Sequence, residues 1–376
     1  MKIAFLIKEL IPNAGQTQDI AEIVNYLLSS TPIWQISVMA NKIDYPLLPG
    51  LNDKRVRVIK LKHYFKYMLF RGGLTTVLKD YDVIYIKGNY PYFFPALKSK
   101  KPTILVVHQL DSAKLFKSFF TKIKIIATKT LTGYMIRKPS VVVTISEELA
   151  NFYFKKYGIK VHVIEDQISD TYFLSGNRIV PDQSSSLKLL TVGYWDGKNG
   201  RKRQDILLRY FADCVKVKPN LTLSMVGLSN DNLKLLGEIS GELKLTKHVT
   251  LEGYLESDKL AQKYFNSHLF VTATSFEGFY RQVIEGFASG LPALVYDSRI
   301  ITKEISSSAS VNHVIKSGAG ELYYDSESFV TSLNKIIGNY EKYSVCARSY
   351  AKLFSKEIVG IKTKELLTAL TSDIKS

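Results

Sequence analysis

The sequence predicts an α/β protein of two domains, each a largely parallel sheet with helical crossovers. Short apolar runs alternate with helical segments, the pattern of a βαβ fold. The alternation lapses over Arg178–Ser186, where hydrophobic periodicity is lost, and then restarts. A length of 376 residues is enough for two separate cores. The expected division is 1–177, a linker at 178–186, a second domain at 187–354 and a terminal helix within 355–376.

In chain order, Lys2–Ile7, Gln35–Met39, Val56–Leu61, Val83–Lys87, Thr103–Val107 and Val141–Ile145 read as strands. The first runs through the loop Pro12–Gln16 into a segment, Thr17–Leu28, with Ile20, Ile23, Val24 and Leu27 at helical spacing. This strand, loop with Gly15, and helix is either a phosphate cradle or a plain turn. Ser146 is an N-cap ahead of Glu147 and Glu148 and opens a helix to about Tyr157. Beyond the linker, Leu187–Val192, Leu221–Val226, Val249–Gly253, Leu269–Thr272, Pro292–Tyr296 and Glu321–Tyr323 read as strands. Gln204–Lys216, Leu233–Leu243 and Ser355–Thr371 read as helices.

The apolar run at Met1–Leu10 is too short for a signal segment, and no run of about 18 apolar residues exists, so a cytoplasmic chain without a membrane span is expected. Cys214 and Cys346 have neither metal-ligand nor disulfide-framework spacing. The net charge is +17, and residues 1–180 hold 26 Lys and Arg against 13 Asp and Glu. Such an excess attracts anionic partners. Two stretches, Lys60–Arg71 and Lys114–Lys124, interleave cations with aromatic and aliphatic side chains. In the second, Leu115, Phe119 and Ile123 share a helical face, which suits either a membrane-interfacial helix or an ordinary surface helix. The basic residues follow no nucleic-acid recognition spacing, so nucleic acid is not an expected partner.

The chemistry concentrates in Thr274–Pro292. A strand ends near Thr274, Glu277 lies in the loop, and a helix runs from about Tyr280 to Ser289, with Gly290 at its C′ position. Ligands of open α/β sheets bind beyond the carboxyl ends of strands. Free N–H groups at that helix start suit a diphosphate, and the carboxylates of Glu277 and Glu285 suit vicinal hydroxyls. A second segment, Val192–Asp205, is a strand, a glycine-rich loop and the triplet Arg201-Lys202-Arg203 before a helix. Those cations are placed either to neutralise a leaving diphosphate or as solvated surface.

Glu277-x7-Glu285, with Gly278-Phe279 after the first Glu and Ala288-Ser-Gly-Leu-Pro292 beyond the second, resembles the signature of glycosyltransferase family 4. Gly193 with Arg201-Lys202 and Asp205, Met225-Val-Gly227, Leu251-Glu-Gly-Tyr254, Val141–Glu147 and Val163–Ile168 are similar to further elements of that family, in its order. The resemblance covers roughly 140–370; the first 140 residues match in layout alone. The departures are Tyr280 and Arg203, each where the family commonly has Gly, and Glu165-Asp166-Gln167 in place of Pro-Asn-Gly.

The resemblance implies a GT-B fold, two Rossmann-like domains facing each other across a cleft with the C-terminal helix returning to the N-terminal lobe. It implies a retaining hexosyltransferase that uses a UDP- or GDP-sugar as substrate, needs no cofactor or metal, and acts on a hydroxyl of a lipid-linked or surface glycan. Arg201 and Lys202 would bind the diphosphate, Glu277 the transferred sugar and Glu285 the ribose, with Gly278, Phe279 and Tyr280 at the helix start. Gly193, Gly227 and Tyr254 would frame the nucleotide, Gly15 would approach the phosphate, and His108, in Val-Val-His-Gln-Leu, would contact the donor sugar. The expected partners are the nucleotide sugar, the acceptor glycan and an anionic membrane surface met by the basic first half, giving a peripheral location on the inner face. A sugar-nucleotide epimerase, a phosphorylase and a non-catalytic sugar-nucleotide-binding subunit remain alternatives on the same scaffold.

Overall fold

The computed structural model describes residues 1–376 apart from 12–14, 45, 47, 62–72, 89–91, 109–132, 175, 177, 179, 182–185, 198–199, 302–307 and 373–376. Both basic aromatic stretches, nearly all of the first and the whole of the second, and part of the loop before Gly15 lie outside the described residues.

The chain forms two compact units, residues 1–167 with 356–376 and residues 168–355. The first is built from β1 (Lys2–Leu10), α1 (Gly15–Ser30), β2 (Gln35–Ile43), β3 (Val56–Lys60), α2 (Gly73–Leu78) and β4 (Val83–Lys87), then α3 (Phe93–Lys98), β5 (Thr103–Val107), β6 (Val141–Thr144), α4 (Glu147–Tyr157) and β7 (His162–Val163). Its sheet is parallel, in the order β3-β2-β1-β4-β5-β6-β7. Strands buried on both faces read as near-continuous apolar runs, and β4 and β5, apolar apart from Lys87 and Thr103 at their ends, are fully buried along their length. Ser146 caps α4 through its Oγ, which accepts from the Leu149 amide at 3.3 Å, and Gly158 ends it with φ +66°.

The second unit contains β8 (Leu187–Val192), α5 (Gln204–Val217), β9 (Leu221–Val226), α6 (Asn230–Glu242), β10 (Val249–Glu252), α7 (Ser257–Asn266) and β11 (Leu269–Thr272). It continues with α8 (Arg281–Ala288), β12 (Ala293–Tyr296), α9 (Ala309–Ser317), β13 (Gly320–Tyr323), α10 (Ser326–Gly338) and α11 (Tyr340–Ala351). Its parallel sheet runs β10-β9-β8-β11-β12-β13 over a core that includes Leu189, Phe211, Met225, Val271 and Phe329. The two sheets and their helices are the two α/β domains the sequence predicts.

The last helix, α12 (Lys356–Ser372), belongs to the first unit, as expected. It lies on α1: Gly360 leaves no room for a Cβ against the Tyr26 ring, and Lys362 Nζ pairs with Glu165 at 2.8 Å.

The division between units falls at Gln167/Ile168, not at the expected 178–186. Arg178 explains the shift. Its guanidinium donates to the carbonyls of Ser289 (2.8 Å), Tyr264 and Ser267, and to the Tyr340 hydroxyl (3.0 Å), which ties this stretch into the second unit. Hydrogen bonds from a guanidinium to carbonyls leave no mark in hydrophobic periodicity, so Arg178 gives no signal of this in the sequence. No described helix is long and apolar enough to cross a membrane.

Candidate functional site

In the second unit the strand order reverses between β8 and β11, and the loops that follow these two strands leave the sheet side by side at its carboxyl edge. This is the position where an open α/β sheet offers a ligand crevice. The loop after β8 needs its glycine: Gly193 has φ +136°, and a Cβ there would meet the Lys202 ammonium at 3.5 Å. Gly227, after β9, has φ +94° and lies against the Gly193 backbone, 3.4 Å from an added Cβ.

Asp196 organises the basic loop. Its two carboxylate oxygens accept from the backbone amides of Arg201 (2.8 Å) and Lys202 (3.0 Å). The Arg201 carbonyl in turn accepts from the Ser275 amide at 2.8 Å and from the Thr274 hydroxyl at 3.1 Å. The loop after β8 is thereby fastened to the loop after β11, and the side chains of Arg201 and Lys202 meet Glu277. Lys202 Nζ is 2.7 Å from Glu277 Oε1, and Arg201 Nη1 is 3.6 Å from Oε2. Burial alone would push the Lys202 ammonium down, but Glu277 beside it holds its pKa above the ordinary value. Arg201 is raised by the same balance.

Glu277 is set by its backbone: its amide donates to Ser308 Oγ at 2.9 Å and its carbonyl accepts from the Ala309 amide at 3.0 Å. Gly278 carries the chain on to Phe279, whose ring is buried edge-on against His313 and Phe354 and whose carbonyl bonds His313 Nε2. Phe279 is therefore an anchor of the loop, with only its backbone left to face a ligand. Tyr280 is the N-cap of α8 in the left-handed region, φ +58°, and caps no backbone N–H with its side chain. Its ring lies under Lys202, with Nζ 4.5 Å from the centroid, and its hydroxyl shares a 2.7 Å hydrogen bond with Thr272. These contacts offset the strain of a non-glycine residue at that φ.

One helical turn further on, Glu285 is buried. Its Oε1 accepts from Arg281 Nε at 3.1 Å and its Oε2 from the Tyr264 hydroxyl at 3.1 Å. Burial raises the Glu285 pKa, and Arg281 and Tyr264 oppose the shift without cancelling it. Tyr254, just beyond β10, is 45% exposed and open to contact.

Of the residues singled out from the sequence, Gly193, Arg201, Lys202, Gly227, Glu277, Gly278, Phe279, Tyr280, Glu285 and Tyr254 all belong to this unit. Gly15 and His108 belong to the other. Gly15 opens α1, and a Cβ there meets no described atom within 4 Å, so close packing does not explain it. His108 follows β5, and its Nε2 is buried with no hydrogen-bond partner among the described residues. Burial and then the nearby Lys87 push its pKa down to about 4, against the pull of Asp166. Lys87, at the end of β4, is buried in an ion pair with Asp19 and lies 3.2 Å from Asp166. Among the described residues no three of His, Cys, Asp and Glu are grouped to hold a metal.

Sequence reasoning missed Asp196, Thr274, Ser275, Ser308, Tyr264 and Arg281, which place the named side chains. It also missed the Lys87–Asp19–Asp166 cluster, whose members lie far apart in the chain.

Residues 187–352 match the model of the family described as Glycosyl transferases group 1. No curated protein matches the chain in sequence. Solved structures similar over nearly the whole chain include sucrose-phosphate synthase from Thermosynechococcus elongatus, with TM-score 0.75, 16% identity, and coverage of 99% of this chain and 99% of that one. HepE from Anabaena in complex with UDP and glucose is similar with TM-score 0.72 and 17% identity, covering 98% and 99%. WaaG, a glycosyltransferase involved in lipopolysaccharide biosynthesis, is similar with TM-score 0.68 and 12% identity, covering 97% and 99%. At these identities the likeness establishes the fold, which is GT-B. The family match lies within the second unit.

Proposed function

We propose that this chain, with its glycosyl transferases group 1 segment and GT-B fold, is a retaining glycosyltransferase of family 4. It moves a hexose from a UDP- or GDP-sugar to a hydroxyl of a lipid-linked or surface glycan, without a metal or other cofactor. The observation that carries the reading is the joining of the two switch-point loops, which brings Arg201, Lys202 and Glu277 to the uncapped N-terminus of α8. Cations and free N–H groups converge there on one place, as a leaving diphosphate requires. In this role Arg201 and Lys202 neutralise the charge that gathers on the diphosphate as its bond to the sugar breaks. Glu277 accepts hydrogen bonds from the sugar hydroxyls, and Glu285 takes the ribose. Gly193 and Gly227 allow the nucleotide to approach the backbone, and Tyr254 borders the base. Neutral His108 suits a hydrogen bond with a sugar hydroxyl, and Gly15 the approach of a phosphate to the backbone.

HepE is solved with UDP and glucose, and the reading extends a UDP-sugar donor to this chain. The acceptor side is assigned to the basic first unit, which would bring the protein to an anionic membrane surface on the cytoplasmic side. Transfer of labelled hexose to a membrane-glycolipid fraction tests the reaction. Glu277→Ala should lower transfer by about 100-fold or more, and Glu327→Ala in the first turn of α10 should leave it near wild type. Equal losses in the two variants would remove Glu277 from the chemistry. Flotation with liposomes tests the membrane part, and binding indifferent to anionic lipid would refute it.

A further inference from the structure

We propose that His313 is a positioning residue for the donor diphosphate: from α9 it holds the carbonyl of the peptide between Phe279 and Tyr280, and so turns the Tyr280 N–H to the open start of α8. The inference rests on the donor-site reading above and adds what sets the direction of the amides at that site.

His313 does not itself reach a ligand. It is 6% exposed, and its ring stands edge-on to Phe279 at 5.4 Å and 88° and to Phe354 at 5.7 Å and 87°. Its Nε2 is 2.5 Å from the Phe279 carbonyl oxygen, and its Nδ1 is 3.1 Å from the Tyr350 hydroxyl. A carbonyl only accepts, so Nε2 carries a proton, and in the neutral ring Nδ1 accepts from Tyr350.

The start of α9 makes the matching contacts two residues earlier. The Ala309 amide donates to the Glu277 carbonyl at 3.0 Å. Ser308, the N-cap residue of α9, puts no side-chain cap on its own helix and accepts instead from the Glu277 amide at 2.9 Å. In a trans peptide the C=O and the N–H that follows it point in opposite directions. With the carbonyls of Glu277 and Phe279 both turned to α9, the N–H groups of Gly278 and Tyr280 both point away from it. Among the described residues the amides of Gly278, Phe279 and Tyr280 meet no acceptor.

Tyr280 shows that this direction is imposed. Its φ of +58° is left-handed, where a residue with a side chain is strained. Turning the 279–280 peptide over would return Tyr280 to the extended range open to any residue, but it would pull the carbonyl off His313 and aim the N–H back at α9. The hydrogen bond from His313 opposes that flip. Glu277 takes the sugar in the reading above, so the phosphate beside its loop is the second one, which a nucleoside monophosphate lacks.

The experiment is calorimetric binding of UDP, GDP and ADP, and of the monophosphate matching the tightest of them, to wild type, His313→Leu, His313→Asn and His313→Gln. Wild type should prefer the diphosphate by about 10-fold or more, as hydrogen bonds to a charged group require. In His313→Leu the preference should fall by about fivefold or more, with monophosphate affinity kept within about twofold. His313→Asn, whose amide stands near Nδ1 and is too short for the Phe279 carbonyl, should do the same and carries the test if the Leu variant does not fold. His313→Gln sets an amide donor near the place of Nε2 and should keep the preference within about twofold of wild type. An unchanged preference in folded Leu or Asn variants would overturn the proposal. So would equal weakening of both nucleotides, which is what a merely structural histidine gives, or a loss in the Gln variant as large as in Leu. Failure of wild type to bind any nucleotide, or to prefer the diphosphate, would instead sink the donor-site reading itself.

Discussion

Replacing Lys202 by Met removes the ammonium that sits 2.7 Å from Glu277 Oε1 and 4.5 Å from the Tyr280 ring while keeping most of the buried stem. Lys202 is 7% exposed and Glu277 13%, so the carboxylate left behind is poorly hydrated. Breaking a buried pair costs about 3–5 kcal/mol. Arg201, at 3.6 Å and 29% exposed, still compensates Glu277 in part. A loss at or just below the lower end of that range, about 2–3 kcal/mol, follows, equivalent to roughly 4–12 °C in the melting temperature of a domain of this size. Glu277→Gln should cost a similar amount by stranding Lys202. In the double variant neither charge is stranded, so its loss should be smaller than the sum of the two by at least about 1 kcal/mol. Urea unfolding of all four proteins, followed by circular dichroism at neutral pH, measures the coupling. Losses that add within about 0.5 kcal/mol would refute the shared, desolvated environment on which the diphosphate site is built.

Gly193→Ala places a Cβ at φ +136° and 3.5 Å from Lys202 Nζ. It should cost about 1–3 kcal/mol in unfolding and weaken nucleotide binding, and wild-type values for both would show that the loop tolerates a side chain. His108, held at about 4 instead of the ordinary 6.5, is neutral in the folded chain where the unfolded chain is already protonated. Its contribution is complete above about pH 6.5 and is lost as the pH falls toward 4, by at most about 3 kcal/mol. His108→Gln should flatten that part of the stability profile, and an identical pH slope in the variant would contradict a neutral ring with its Nε2 withdrawn from water. Glu285 has its pKa raised by burial, so nucleotide binding should weaken on the acid side at a pH above that of an ordinary Glu. A titration of the nucleotide dissociation constant from pH 7 to 4 checks this, and an inflection at or below the ordinary carboxylate range would count against it.

The strands were legible because parallel strands buried on both faces read as near-continuous apolar runs, and Val83–Lys87, whose one charge stands at its end, and Leu269–Thr272 appear in the structure with the bounds expected. The boundary was not, because Arg178 binds by hydrogen bonds to carbonyls, which leave no trace in hydrophobic periodicity. Helices such as Ser257–Asn266, with many charged and polar residues on a narrow apolar side, gave too little pattern to be read. At the site, the spacing of Glu277 and Glu285 was readable, since one strand–loop–helix segment carries both. What holds them was not. Asp196 and Ser308 act through backbone amides, Arg281 looks like half of an ordinary surface pair, and Lys87 finds Asp19 68 residues away and Asp166 79 residues away.

The most direct test of the donor site is calorimetric titration of wild type and Glu285→Ala with UDP, GDP, ADP and their common sugar conjugates. The account predicts saturable, one-to-one binding of a single nucleotide family to wild type, lost or weakened by about 10-fold or more in the variant. No binding of any of these ligands to folded wild-type protein, or equal affinity in the variant, would contradict it.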